Sequence, residues 1–110
     1  MFKKSERLTR AEFSEYFKVG RRYHTPQLTV ITHPLSTRKV AVVVGKKVAK
    51  SAVRRNTLKR RVYAQLREEM KEYPYRGVII IILKSPFNSL PRKQVSEVVQ
   101  TAIAQVVKSA

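Results

Sequence analysis

The 110-residue sequence predicts a small α+β sandwich with element order α-β-β(-β)-α-β-α. Three observations carry the prediction: apolar side chains at three- and four-residue spacing in three separate stretches, β-branched residues in alternation over 27–32 and 39–44, and an unbroken apolar run over 78–83. The length suits a single domain, residues 1–110, with one modest core.

The first helix is punctuated at both ends. Thr9 can cap it, Glu12 three residues on completes a capping box, Leu8 can staple against Phe13, and Gly20 marks the stop. Phe13, Tyr16 and Phe17 share one side of this helix. They are either core residues or, on an open sheet face, flat rings on which unpaired bases can stack. Arg21-Arg22-Tyr23-His24 and Pro26 lead into the first strand, 27–32, and Pro34 and Ser36 mark the turn after it. A second strand, 39–44, places Val40, Val42 and Val44 on one face and Ala41 and Val43 on the other, and Gly45 ends it.

The segment that follows, KKVAKSAVRRNTLKRRVYAQLR over 46–67, repeats Lys or Arg every few residues and contains no acid. At 3.6 residues per turn Leu58, Val62, Leu66 and Met70 form an apolar stripe, while Asn56, Arg60, Tyr63 and Arg67 fall on the opposite side. Arg54 and Arg61 flank the stripe on one shoulder, Arg55 and Lys59 on the other. The result is a helix with an apolar keel and a cationic deck. Ordinary helix surfaces mix signs, because opposite charges one turn apart support each other. Here like charges repel across every turn, so a polyanion is the expected compensation.

Beyond a turn at 73–77, the run at 78–83 reads as a strand covered on both faces, central in the sheet and parallel to a neighbour. Residues 86–91 read as a loop. A last helix over 92–107 buries Val95, Val98, Val99, Ala102, Ile103 and Val106; its β-branched residues form helix poorly, so packing must hold it.

The charge balance points to a nucleic-acid partner: 24 Lys and Arg against 7 Asp and Glu give +17, and every acid lies at Glu15 or earlier or at Glu68 or later. With no cysteine, disulfides and thiolate chemistry are excluded, which is compatible with a reducing cytoplasm. The N-terminus turns polar where a secretory signal needs an apolar core, and no apolar run approaches the roughly 18 residues of a membrane span. His24 and His33, the two histidines, sit beside turn-forming prolines, where solvent exposure explains them better than an acid–base pair. No Gly-rich phosphate loop, metal-spaced His or Cys cluster or nucleophile motif is present. Major-groove reading by a helix-turn-helix lacks its second helix, and a membrane-surface or calmodulin-type helix lacks a Trp or Phe anchor. RNA binding without catalysis by the chain itself is the favoured reading. A structural RNA-binding protein of ribosomal type and a self-contained histidine ribonuclease are the alternatives.

The basic segment resembles the signature of the protein subunit of bacterial ribonuclease P. There, two lysines after a strand are followed by a small-residue turn, Ala-Val, one further residue, Arg-Asn, and Lys-Arg one turn on; here these are Lys46-Lys47, Ala52-Val53, Arg55-Asn56 and Lys59-Arg60. Arg7-Leu8, Phe13 and Phe17 before Gly20, the Val-rich strand before Gly45 and the apolar strand before the last helix extend the resemblance along the chain. Thr57 and Tyr63 stand where the family often has arginines, and Arg61 where it usually has an apolar residue.

The resemblance implies a ferredoxin-like, ribosomal-protein-like fold with a split, left-handed βαβ crossover. It also implies an accessory subunit of a ribonucleoprotein endoribonuclease, in which a large RNA uses Mg²⁺ to remove the 5′ leader of precursor tRNA. Lys46, Lys47, Lys50, Arg54, Arg55, Asn56, Lys59, Arg60 and Arg67 would face the catalytic RNA, at one protein per RNA. Phe13 and Phe17, with the open sheet face, would hold the leader, and Ile31 is the best match for an aromatic that the family carries on that face. No catalytic or metal-binding residue is expected in the chain.

Overall fold

In the computed structural model, which describes residues 4–72 and 75–109, the capping box closes as its residues require. Thr9 Oγ1 accepts the Glu12 N–H at 3.2 Å while Glu12 Oε1 accepts the Thr9 N–H at 2.9 Å, starting α1 (Arg10–Val19). Leu8 and Phe13 both pack on the cluster of Ile31, Val78 and Ile80. Gly20 ends α1 with φ −69° and ψ 153°, extended angles open to any residue, so the glycine serves close approach and not left-handed geometry. A Cβ there would collide with Ile31 and sit 2.7 Å from the Tyr16 carbonyl oxygen.

Four strands make one sheet in the order β1-β2-β4-β3: β1 (Arg21–His24), β2 (Leu28–His33), β3 (Arg38–Val43) and β4 (Gly77–Leu83). β2 pairs antiparallel with β1 and β4, placing Ile31 opposite Arg22 on one side and Ile80 on the other. β3 pairs parallel with β4, Ala41 opposite Ile80 and Val43 opposite Ile82. The apolar run is thus central and parallel to one neighbour, as its composition predicts. β3 and β4 are immediate neighbours, so no strand splits the βαβ unit that α2 (Ala52–Glu72) closes. Arg21–His24, read from sequence as the lead-in to the first strand, is a strand in its own right and forms an edge of the sheet. The other edge, β3, is guarded: Arg7 bridges Val40, and the Val42 N–H donates to Tyr63 Oη at 3.1 Å.

One face of the sheet carries the main core. Val40, Val42 and Val44 meet Leu28, Val30, Ile79 and Ile81, and α2 and α3 (Arg92–Ser109) lie across them with Leu58, Val62, Leu66 and Met70 and with Val95, Val99, Ala102, Ile103 and Val106. Val98 packs at the margin of this core. Residues 85–89, overlapping the 86–91 stretch read from sequence as a loop, form a 3-10 turn in which Phe87 is fully buried. α1 covers part of the opposite face, over Ile31, Val78 and Ile80. Gly77, at φ 142°, opens β4 where a side chain would press on the His33 carbonyl at 2.9 Å. In the turn predicted at 73–77, Tyr73 and Pro74 lie outside the described residues.

Candidate nucleic-acid interface

The loop between β3 and α2 is closed on itself, the Val48 and Ala49 N–H groups both donating to the Gly45 carbonyl at 3.0 and 3.3 Å. Val48 and Ala49 turn into the core, which leaves Lys46, Lys47 and Lys50 pointing to solvent. Ser51 opens the helix by accepting the Arg54 N–H at 3.3 Å. With the apolar stripe buried, Asn56, Arg60 and Arg67 are exposed along the outer side of α2, and Lys59 is half-buried on its shoulder. Among the described residues none of the cations of the deck forms an ion pair; the ion pairs present are Arg38 with Glu6, Lys39 with Glu12 and Lys71 with Glu68. Self-repulsion among the deck cations is therefore relieved by no ion pair within the described residues.

Two arginines assigned to the deck have internal work. Arg54 is half-buried, its Nε donating to Asn88 Oδ1 at 2.8 Å and its Nη2 to the Asn88 carbonyl at 3.1 Å, which ties the start of α2 to the turn before α3. Arg55 folds back, Nη1 donating to the Ala49 and Lys50 carbonyls at 2.9 and 2.8 Å. Its guanidinium holds the lysine-bearing loop onto the helix. Tyr63, placed by periodicity on the deck, is half-buried with its hydroxyl on the β3 edge.

The second candidate surface lies on the face partly covered by α1. Phe13 and Phe17 stack at 5.8 Å between centroids, and Phe17 is 38% exposed. Ala41, Val43 and Ile82 are half-buried on the same sheet face, and this partly open apolar strip, with α1 beside it, is the candidate cleft. Ile31, in contrast, is fully buried under α1. It presents no surface to a ligand, and its assignment to a leader contact is corrected to a support beneath the cleft. Tyr16, the third aromatic, packs against the same cluster and against the His33 ring at 5.2 Å.

Sequence reasoning missed Arg22. Its guanidinium lies 4.4 Å over the Phe17 ring, Nη2 donates to the Phe17 carbonyl at 2.6 Å, and the residue is exposed beside that ring. The alternation Arg22 out, Tyr23 in, His24 out was its available signal. His24 sits on the same face, its Nδ1 3.0 Å from Thr29 Oγ1. His33 lies four residues along β2 from Thr29, roughly 13 Å at strand spacing, so the two histidines do not meet at one scissile bond. Among the described residues no three His, Cys, Asp or Glu converge as metal ligands.

Comparison with known proteins decides the family. The Ribonuclease P family profile matches residues 2–107. The chain belongs to the ribonuclease P protein family. A ribonuclease P protein component from Microcystis aeruginosa (strain NIES-843 / IAM M-2473) is 38% identical over 80 residues, 66% of this chain and 67% of that protein. The fold matches the ribonuclease P protein of Thermotoga maritima with a TM-score of 0.77 at 24% identity over 96% of this chain and 97% of that one. The Staphylococcus aureus ribonuclease P protein matches with a TM-score of 0.71, 24% identity and coverage of 96% and 94%. As a ribonuclease P protein component, the chain is the protein part of the ribonucleoprotein endoribonuclease that matures tRNA 5′ ends, and ribonuclease P RNA is its partner. No described helix is long and apolar enough to cross a membrane.

Proposed function

We propose that the chain acts as one RNA-binding domain with two faces, the deck of α2 and its preceding loop against the catalytic RNA, and the cleft beside α1 against the 5′ leader of precursor tRNA. The unpaired cations of the deck carry the first half of this reading. Lys46, Lys47, Lys50, Arg60 and Arg67 are exposed without an ion pair among the described residues, the arrangement that a phosphate backbone neutralises. The stacked Phe13 and Phe17, with the apolar strip of Ala41, Val43 and Ile82, support the second half, because single-stranded bases are held by exposed rings. Arg54 and Arg55 act in this scheme first as struts of the cationic surface.

In this reading hydrolysis belongs to the RNA, which also holds most of the Mg²⁺. The protein raises affinity for the substrate and offsets repulsion between two RNAs, one protein to one catalytic RNA, in the cytoplasm where precursor tRNA is processed. Cleavage of precursor tRNA by the cognate RNA at low Mg²⁺, with and without the protein, tests this reading. A gain in rate or substrate affinity is expected, and no gain sinks it. Equal affinity for leader-bearing and mature tRNA would favour the structural RNA-binding alternative.

A further inference from the structure

Arg61 is the cation that the deck does not absorb. It stands on the shoulder of α2 that faces α3, half-buried, in a groove whose α3 wall is Arg92, Val95 and Ser96. A second groove runs along the outer side of the same helix, lined by Arg60, Tyr63, Arg67 and Lys71. The two grooves share Ala64 and Glu68. Ala64 is exposed and small, so the wall between the grooves is low there, and an extended backbone can pass from one to the other over it.

Charge is continuous across this saddle. Arg60 and Arg67 line one side and Arg61 and Arg92 the other, while Glu68 between the grooves is paired with Lys71 at 3.2 Å. The groove between the helices is also held in shape. Arg54 bonds both the side chain and the carbonyl of Asn88, fixing the turn that leads into α3, and Gln65 on the groove's α2 wall donates to Glu69 at 2.9 Å. A guanidinium matches phosphate geometry better than an ammonium, and its planar fork loses less freedom for each hydrogen bond it forms.

We infer that the surface for the catalytic RNA does not end at the deck but continues over Ala64 into the α2–α3 groove, where Arg61 and Arg92 each engage a backbone phosphate of that RNA. The inference rests on the reading of the deck as the catalytic-RNA face, because the partner is assigned by continuity with it.

The test is binding of the full chain to ribonuclease P RNA between about 50 and 200 mM monovalent salt. The double variant Arg61→Met, Arg92→Gln keeps most of the Arg61 stem while removing both charges. Two lost phosphate contacts lower the log–log salt slope by roughly 1.4–1.8, so over that fourfold salt range the variant loses affinity roughly tenfold less than the native chain. Thermal melting by circular dichroism confirms that the variant is folded. The deck pair Arg60→Gln, Arg67→Gln is measured beside it. A lowered slope for the deck pair with an unchanged slope for Arg61→Met, Arg92→Gln overturns the groove and leaves the deck standing. Unchanged slopes for both pairs overturn the deck reading and the groove with it. A loss confined to precursor tRNA added to the preassembled holoenzyme, with catalytic-RNA binding intact, also overturns the assignment.

Discussion

Replacing Arg55 by alanine should loosen the lysine-bearing loop before it weakens any direct RNA contact. The guanidinium donates from one nitrogen, Nη1, to two successive carbonyls, Ala49 and Lys50, at 2.9 and 2.8 Å. Because both bonds leave the same nitrogen of a half-buried side chain, they are counted as one charge-assisted hydrogen bond, worth about 1.5–3 kcal/mol before screening by solvent. The amides of Val48 and Ala49, whose bonds to the Gly45 carbonyl close the loop, report on that clamp. Their hydrogen exchange in the free Arg55→Ala protein should accelerate roughly ten- to a hundredfold, the factor corresponding to about 1.5–3 kcal/mol of local opening. Arg55→Lys keeps the charge but is shorter and cannot carry a donor to the position of Nη1, and should accelerate exchange nearly as much. RNA affinity should fall in both variants, while the salt slope in Arg55→Lys stays near native. Unchanged exchange in Arg55→Ala together with a slope reduced by roughly 0.7–0.9 would show that Arg55 spends its charge on a phosphate and that the clamp is idle.

Phe17→Ala should weaken leader-bearing tRNA by about 1–3 kcal/mol relative to mature tRNA in holoenzyme binding assays, and equal losses would return the ring to the core. Gly20→Ala should cost about 1–3 kcal/mol in chemical denaturation, because its Cβ meets Ile31 and the Tyr16 backbone oxygen; no loss would mean that α1 shifts freely on the sheet. Tyr63→Phe should cost about 1 kcal/mol by stranding the Val42 N–H at the sheet edge, and native stability would mean that water replaces the hydroxyl without loss. Glu12 is held below the usual glutamate range by the Thr9 backbone N–H and then by Lys39. A depressed folded value contributes stability that is present above the unfolded value and is lost as pH falls through the folded one. Glu12→Gln should therefore flatten the acid limb of the stability–pH curve, with little change in its shape at neutral pH.

Periodicity made the buried side of each long element legible. Leu58, Val62, Leu66 and Met70 needed nothing but a 3.6-residue repeat, and Val40, Val42 and Val44 nothing but alternation. β1 was harder to read, since four residues at a sheet edge carry two arginines outward and give no apolar pattern. Ile31 shows a different limit. Alternation says which residues share a face, but not that α1 lies over this part of it, and so the residue expected to touch a ligand is fully covered. The deck was legible as a surface and not as individual contacts. That Arg54 reaches Asn88 depends on where a distant turn packs, and that Arg55 turns back onto its own loop depends on how residues 45–50 close. Tyr63 stood on the outer side by angle alone, yet a long polar-tipped ring can bend back to an edge strand that no helical wheel contains.

The relation between the two faces follows from β3. Its odd-numbered Ala41 and Val43 line the cleft beside α1, its even-numbered Val40 and Val42 anchor α2 through the core, and its end runs directly into the loop that carries Lys46, Lys47 and Lys50. The N–H of Val42 is held by Tyr63 from the middle of α2, so strand and helix are fixed to each other at two places, in the core and at the edge. If the two faces bind as proposed, this one strand would set the distance between the leader and the catalytic RNA. Under this arrangement a substitution at Val42 that shifts β3 against α2 would change cleavage more than it changes binding of either RNA alone, because each face would remain intact while their separation altered. Equal losses in all three measurements would mean that the faces work independently and that β3 does not couple them.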